Sequence, residues 1–244
     1  QMVEPTVVDP TYLAVLVALL IVLVSSIFLF KKFFGAKADT VLLIGLSDSG
    51  KTQMFSKLIN NKSTVITYTS LSENAYDGLL TPSNEALRLI DFPGAERMRK
   101  LLSEKWLSKE RGSLKQIVAV IDSASINKRA RDVAELLYDT LLESNKKVPM
   151  LVACNKQDVG LAKAPHVIST LLEKEFSLIN QSRAASLQST DGSNARASTL
   201  TNPEVAFEWS KLPVKVDFVK CCALETDVDD EEKNLTGVRE AIGI

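Results

Sequence analysis

The chain has 244 residues and a formal charge of −1, enough length for one ordinary domain with additions and for a core that needs no disulfides. This charge balance provides no global basic field for nucleic acid, and a single histidine, His166, read as an ordinary surface residue, excludes a multi-His metal site. The three cysteines, Cys154, Cys221 and Cys222, follow no zinc spacing and read as reduced, buried thiols.

The run from Tyr12 to Phe30, YLAVLVALLIVLVSSIFLF, carries no charge. At about 1.5 Å per helical residue it nearly matches a hydrocarbon core of about 30 Å. Ser25 and Ser26 interrupt it, and helical hydroxyls can bond back to the preceding turn. No Lys or Arg precedes the run, whereas Lys31, Lys32 and Lys37 follow it. This order opposes a cleaved leader, despite the leader-like Ala36–Ala38 triplet, and places the C-terminal side in the cytosol. The expected organisation is a short segment 1–11, a transmembrane helix 12–30, a basic linker 31–38 and a cytosolic domain 39–244.

Hydrophobic runs then alternate with helical patterns. Thr40–Leu46 predicts a buried strand and 51–60 a helix, with Met54, Phe55, Leu58 and Ile59 on one stripe. Polar residues 61–72 read as a loop, followed by a hairpin of strands at Asn74–Leu80 and Ala86–Asp91. Further helices are expected near 97–109, 128–144, 165–178 and 231–242, with strands at 116–122, 148–154 and 214–219. Asn180 to Asn202 breaks the pattern with Ser, Thr, Ala, Asn and Gln, so 180–206 reads as a flexible insert. The alternation implies an α/β fold: a mostly parallel, doubly wound sheet with helices on both faces and ligands at the C-terminal strand ends.

The motifs fall on those ends. Gly45, Leu46, Ser47, Asp48, Ser49, Gly50, Lys51 and Thr52 form a strand–loop–helix sequence of the type GxxxxGKT. Backbone N–H groups and the helix N-terminus would surround phosphates. Lys51 would bridge the β- and γ-phosphates, and the Thr52 hydroxyl would ligate Mg²⁺. Asp91-Phe-Pro-Gly94 ends a strand in the DxxG pattern; Asp91 would hold Mg²⁺ through water and the Gly94 N–H would sense the γ-phosphate. Asn155, Lys156 and Asp158 form NKxD: the Asp158 carboxylate matches the N1–H and exocyclic amine of guanine, a donor pair that adenine lacks. Asn155 would bond the ring edge and brace the phosphate loop, while the Lys156 stem packs on the base. Thr67, rivalled by Thr69, is the candidate first-switch Mg²⁺ ligand, and Cys222-Ala223 stands where the Ala223 N–H would meet guanine O6. These motifs predict a P-loop GTPase binding GTP or GDP with Mg²⁺.

The anchor, the GLSDSGKT loop, the DFPG switch, the run Cys154–Asp158, the polar insert before FEWSKLPVKVDF and the Cys-Cys-Ala tail together resemble the signal recognition particle receptor beta-subunit family. The resemblance implies an endoplasmic reticulum membrane protein with a lumenal N-terminus. It further implies GTP-dependent docking of the receptor's alpha subunit for co-translational targeting, with possible ribosome or translocon contact. The alternatives are an Arf/Sar-like vesicle-trafficking GTPase and a permanently GTP-loaded module. Ala95 follows DxxG where many GTPases place a water-orienting Gln, so turnover at or below roughly 10⁻⁴ s⁻¹ is expected, and no catalytic residue is assigned.

Overall fold

Alternating side chains on the central strands decide how the layers pack. In the computed structural model, which describes residues 10–34, 38–60, 70, 72–145, 147–188, 199–224 and 235–244, β1 (Thr40–Ile44) is buried along its whole length. Leu42 and Ile44 enter one core cluster, and Val41 and Leu43 enter the other. In β4 (Leu114–Asp122), Ile117, Ala119 and Ile121 face the first cluster, and Val118 and Val120 the second. β5 (Met150–Asn155) repeats the division. Strands buried on both faces read as continuous apolar runs, as these do.

The sheet has six strands in the order β2-β3-β1-β4-β5-β6, where β2 is Asn74–Leu80, β3 is Ala86–Asp91 and β6 is Val216–Lys220. Only the β2–β3 pair is antiparallel. The hairpin falls where the sequence places it. Asn84 takes a positive φ of 61° in its turn, a conformation Asn tolerates. The mostly parallel α/β fold is therefore as expected.

α2 (Lys51–Ile59) contributes Met54 and Leu58 to the second cluster, and α6 (Thr236–Ile242) adds Val238 and Ile242. The first cluster is covered by α4 (Ile126–Glu143), α5 (Pro165–Gln188) and an irregular helix. That helix opens as a 3₁₀ turn, Glu96–Met98, passes through α3 (Arg99–Leu101), and continues as a π-helical run, Leu102–Lys109. The helix expected near 97–109 is therefore in place, and its geometry is irregular.

The end of α5 and the start of the insert also differ from expectation. α5 continues to Gln188, past the end expected near Leu178 and into the stretch read as a flexible insert. Asn180, taken as the start of that insert, is fully buried: its Oδ1 accepts from Tyr138 Oη at 2.6 Å, and its Nδ2 donates to Thr201 Oγ1 at 2.8 Å. Tyr138 Oη in turn accepts the Leu200 N–H at 2.9 Å, and Phe207 is buried against Phe176. Residues 189–198 of the insert lie outside the described residues. Tyr138→Phe removes Asn180's donor and Leu200's acceptor together, which should cost about 2–4 kcal/mol. A domain of this size should then melt about 5–15 °C lower, as read by differential scanning calorimetry; an unchanged midpoint would refute the relay.

The N-terminal unit, 1–37, is separate from 38–244. It holds α1, a helix of 25 residues from Pro10 to Phe34 that contains the expected span. Ser25 Oγ bonds back to the Ile21 carbonyl at 2.7 Å. The side chains of Tyr12 and residues 14–26 are exposed. Among the described residues no helix is long and apolar enough to cross a membrane. The helix is thus observed, and the membrane span is not.

Candidate nucleotide-binding site

β1 delivers the chain to residue 45 and α2 takes it up at Lys51, so the glycine-rich loop lies between a strand end and a helix start. Its backbone turns through positive φ at Gly45 (150°), Asp48 (65°) and Gly50 (89°). A Cβ on Gly50 would sit 2.3 Å from Asn155 Nδ2, so this position accepts only glycine. Lys51 is buried and donates to the Leu46 carbonyl at 2.9 Å, which aims its ammonium back over the loop. Burial pushes its pKa down to about 8, partly offset by the charges of Asp91 and Asp48.

The structure brings Thr52 and Asp91 together. Thr52 Oγ1 donates to Asp91 Oδ2 at 2.8 Å, and Asn74 Nδ2 donates to the same oxygen at 3.1 Å. Asp91 is completely buried, and burial raises its pKa despite these hydrogen bonds and the charge of Lys51. Its other oxygen, Oδ1, has no hydrogen-bond partner among the described residues. A buried carboxylate oxygen with spare lone pairs, beside a hydroxyl, suits a hard cation such as Mg²⁺. Gly94 closes this end: a Cβ there would lie 2.6 Å from Lys51 Nζ and 2.7 Å from the Gly45 carbonyl oxygen. Thr67 and Thr69 lie outside the described residues.

At the far end, Asn155 is nearly completely buried and spans two loops. Its Nδ2 donates to the Ser49 carbonyl at 2.9 Å, and its Oδ1 accepts the Ala223 N–H at 2.9 Å. The expected brace to the phosphate loop is present. The Ala223 N–H, assigned to guanine O6, is here engaged by Asn155, so a base contact at Ala223 has to compete with that bond. Lys156, at a positive φ of 63°, pairs with Asp122 at 2.8 Å. Burial raises the Asp122 pKa, but the hydrogen bond and charge of Lys156, helped by Ser125, outweigh it and leave it lowered. Asp158 is exposed, and Cys222 Sγ donates to its Oδ1 at 3.1 Å. The three cysteines are free and buried, and burial pushes Cys154 up to about 12 and Cys222 up to about 11. His166 is exposed, as an ordinary surface histidine should be.

Sequence reasoning missed several participants. Asp122 ends a predicted strand, and that position was its available signal. Arg129 of α4 donates to the Ser47 carbonyl at 2.9 Å, with nothing local to announce it. Asn74 was read only as the start of a strand.

A family model described as the signal recognition particle receptor beta subunit matches residues 36–216. The chain belongs to that family. The signal recognition particle receptor subunit beta of Mus musculus is 37% identical over 243 residues, covering 94% of this chain and 88% of the relative. A structure of the mammalian SRP receptor superposes with a TM-score of 0.69 at 31% identity, over 84% of this chain and 98% of that one. The SRb-GDP-Mg structure from Chaetomium thermophilum shares the fold, with a TM-score of 0.61 at 19% identity over 85% and 97% of the two chains. These matches place the chain with the receptor beta subunits, ahead of the Arf/Sar-like alternative.

Proposed function

We propose that this receptor beta subunit is a GTP-dependent docking switch that holds the alpha subunit at the endoplasmic reticulum membrane during co-translational targeting. The observation that carries the reading is Asn155, whose amide joins the Ser49 carbonyl to the Ala223 N–H. One residue thereby ties the phosphate-type loop to both loops expected around a guanine.

In this reading residues 45–52 bind the phosphates, with Lys51 across the β- and γ-groups. Mg²⁺, when bound, would supply positive charge against the phosphates. Thr52 would ligate it directly, and Asp91 would hold it through water by way of Oδ1, with Thr67 or Thr69 as the remaining protein ligand. Asp158 and the Lys156 stem would hold guanine. The Gly94 N–H would sense the γ-phosphate, and that contact would order the partner surface. Ala95 offers no group to orient water, so hydrolysis is slow or supplied by the partner.

α1 is proposed as a single-pass anchor. The uncharged run from Tyr12 to Phe30 and the lysines after it support this, with the GTPase domain in the cytosol. The 38–244 unit has its own core and can be tested alone. Immobilised and loaded with a non-hydrolysable GTP analogue or with GDP, it is offered the N-terminal domain of the alpha subunit. Retention in the GTP-like state alone is expected; equal retention in both would overturn the switch.

A further inference from the structure

The short segment at Ser70 and residues 72–74 touches both groups given to magnesium above. Ser70 Oγ lies 3.2 Å from Thr52 Oγ1, and Asn74 Nδ2 donates to Asp91 Oδ2 at 3.1 Å. Between them, Glu73 reaches the opposite way. Its Oε2 accepts the Trp106 indole N–H at 3.1 Å, and its Oε1 accepts from Lys105 Nζ. Both partners belong to the π-helical run 102–109, whose wide turn is continued by the Glu110 N–H donating to the Lys105 carbonyl at 2.8 Å. Trp106 is completely buried, so its N–H depends on a protein acceptor, and Glu73 supplies one from a residue distant in sequence.

We infer that Glu73 is a positioning residue that ties the magnesium-binding pair, Thr52 and Asp91, to the irregular helix 96–109. The inference rests on the magnesium assignment proposed above. When a cation takes up the Thr52 hydroxyl, the contact from Ser70 Oγ must be shared or released, and the segment that carries Glu73 must respond. Glu73 cannot follow that movement alone, because leaving would strip a buried indole N–H of its acceptor. The helix moves with it or resists it. In either case the helix receives the state of the site by a route separate from the Gly94 N–H. π-Helical turns occur often at functional positions, and this one places Lys105 and Trp106 side by side on the same carboxylate.

Hydrogen–deuterium exchange on the whole chain in detergent tests this, comparing a non-hydrolysable GTP analogue with GDP, each with Mg²⁺. In the wild type, exchange at 96–109 should differ between the two states by at least about fivefold, the lower end of measured site-to-site couplings. In Glu73→Ala that difference should shrink to within about twofold, while nucleotide still protects 45–52. Glu73→Gln keeps an acceptor for the indole and loses the charge opposite Lys105. It should fall between the two, and it serves if the alanine variant does not fold. Faster exchange in both states with the wild-type ratio preserved would reduce Glu73 to a structural contact and overturn the proposal. Equal exchange at 96–109 in the wild type, with 45–52 protected, would also overturn it. No nucleotide protection at 45–52 would instead bring down the nucleotide reading itself, and this inference with it.

Discussion

Asp158→Asn should lower GTP affinity by about 10²-fold or more and turn the site toward xanthosine nucleotides. The carboxylate is exposed in the turn after β5 and oriented by the Cys222 thiol at 3.1 Å, so it is available to accept from two guanine donors at once. An amide keeps one acceptor and replaces the other with a donor, which opposes the exocyclic amine of guanine and complements the 2-oxo group of xanthine. Hydrogen bonds to a charged group contribute about 1.5–3 kcal/mol each, so losing one and weakening its neighbour gives the stated factor. Cys222 can still donate to the remaining oxygen, which keeps the geometry comparable. Titration calorimetry with both nucleotides decides the matter, and unchanged GTP affinity would remove Asp158 from the base site.

Lys51→Met should separate stability from function. Burial holds the Lys51 pKa near 8, below the 10.4 of a free lysine. Between those two values the folded chain has given up a proton that the unfolded chain retains. Stability therefore rises as pH climbs from about 8 to about 10.5, and below about 8 the buried charge imposes its full cost, roughly 3 kcal/mol. Methionine keeps the stem and drops the charge, at the loss of the hydrogen bond to the Leu46 carbonyl. Without nucleotide the variant should melt about 5 °C higher at pH 7 and lose the stability gain otherwise seen toward pH 10. Its nucleotide affinity should fall by about 10²-fold or more, because the charge faced by the phosphates is gone. Thermal melts at pH 7 and 9.5, with and without GTP and Mg²⁺, measure both halves. A lower midpoint in the free variant would show that Lys51 stabilises the loop.

The sequence made the fold legible wherever local rules and tertiary demands agree. Residues 40–46 are apolar because β1 is covered on both faces, and the hairpin around Asn84 was legible from its turn residues. The glycine loop and NKxD could be read because their chemistry is carried by neighbouring residues. Other features depend on pairings far along the chain. The polar composition after Leu178 suggested an unpacked insert, yet Asn180 is buried because Tyr138 and Thr201 satisfy its amide. Glu73 has no meaning without Trp106, nor Arg129 without the Ser47 carbonyl. The π-helical geometry of 102–109 leaves no periodic trace over eight residues, since its apolar positions suit an α-helix as well.

The register break in β2, between Tyr76 and Leu79, has consequences for how many copies of the chain can share a surface. β2 ends the sheet, and among the described residues no strand pairs with its outer side. A straight edge would offer neighbouring copies a template for strand-to-strand polymerisation. Molecules confined to two dimensions by the proposed anchor would meet edge to edge far more often than molecules free in solution. The break interrupts the regular pairing at Asp77 and Gly78, and the Asp77 carboxylate, paired with Arg88 at 3.1 Å, keeps a charge on that edge. On a membrane, the proposed anchor would thus bring together edges shaped against self-association.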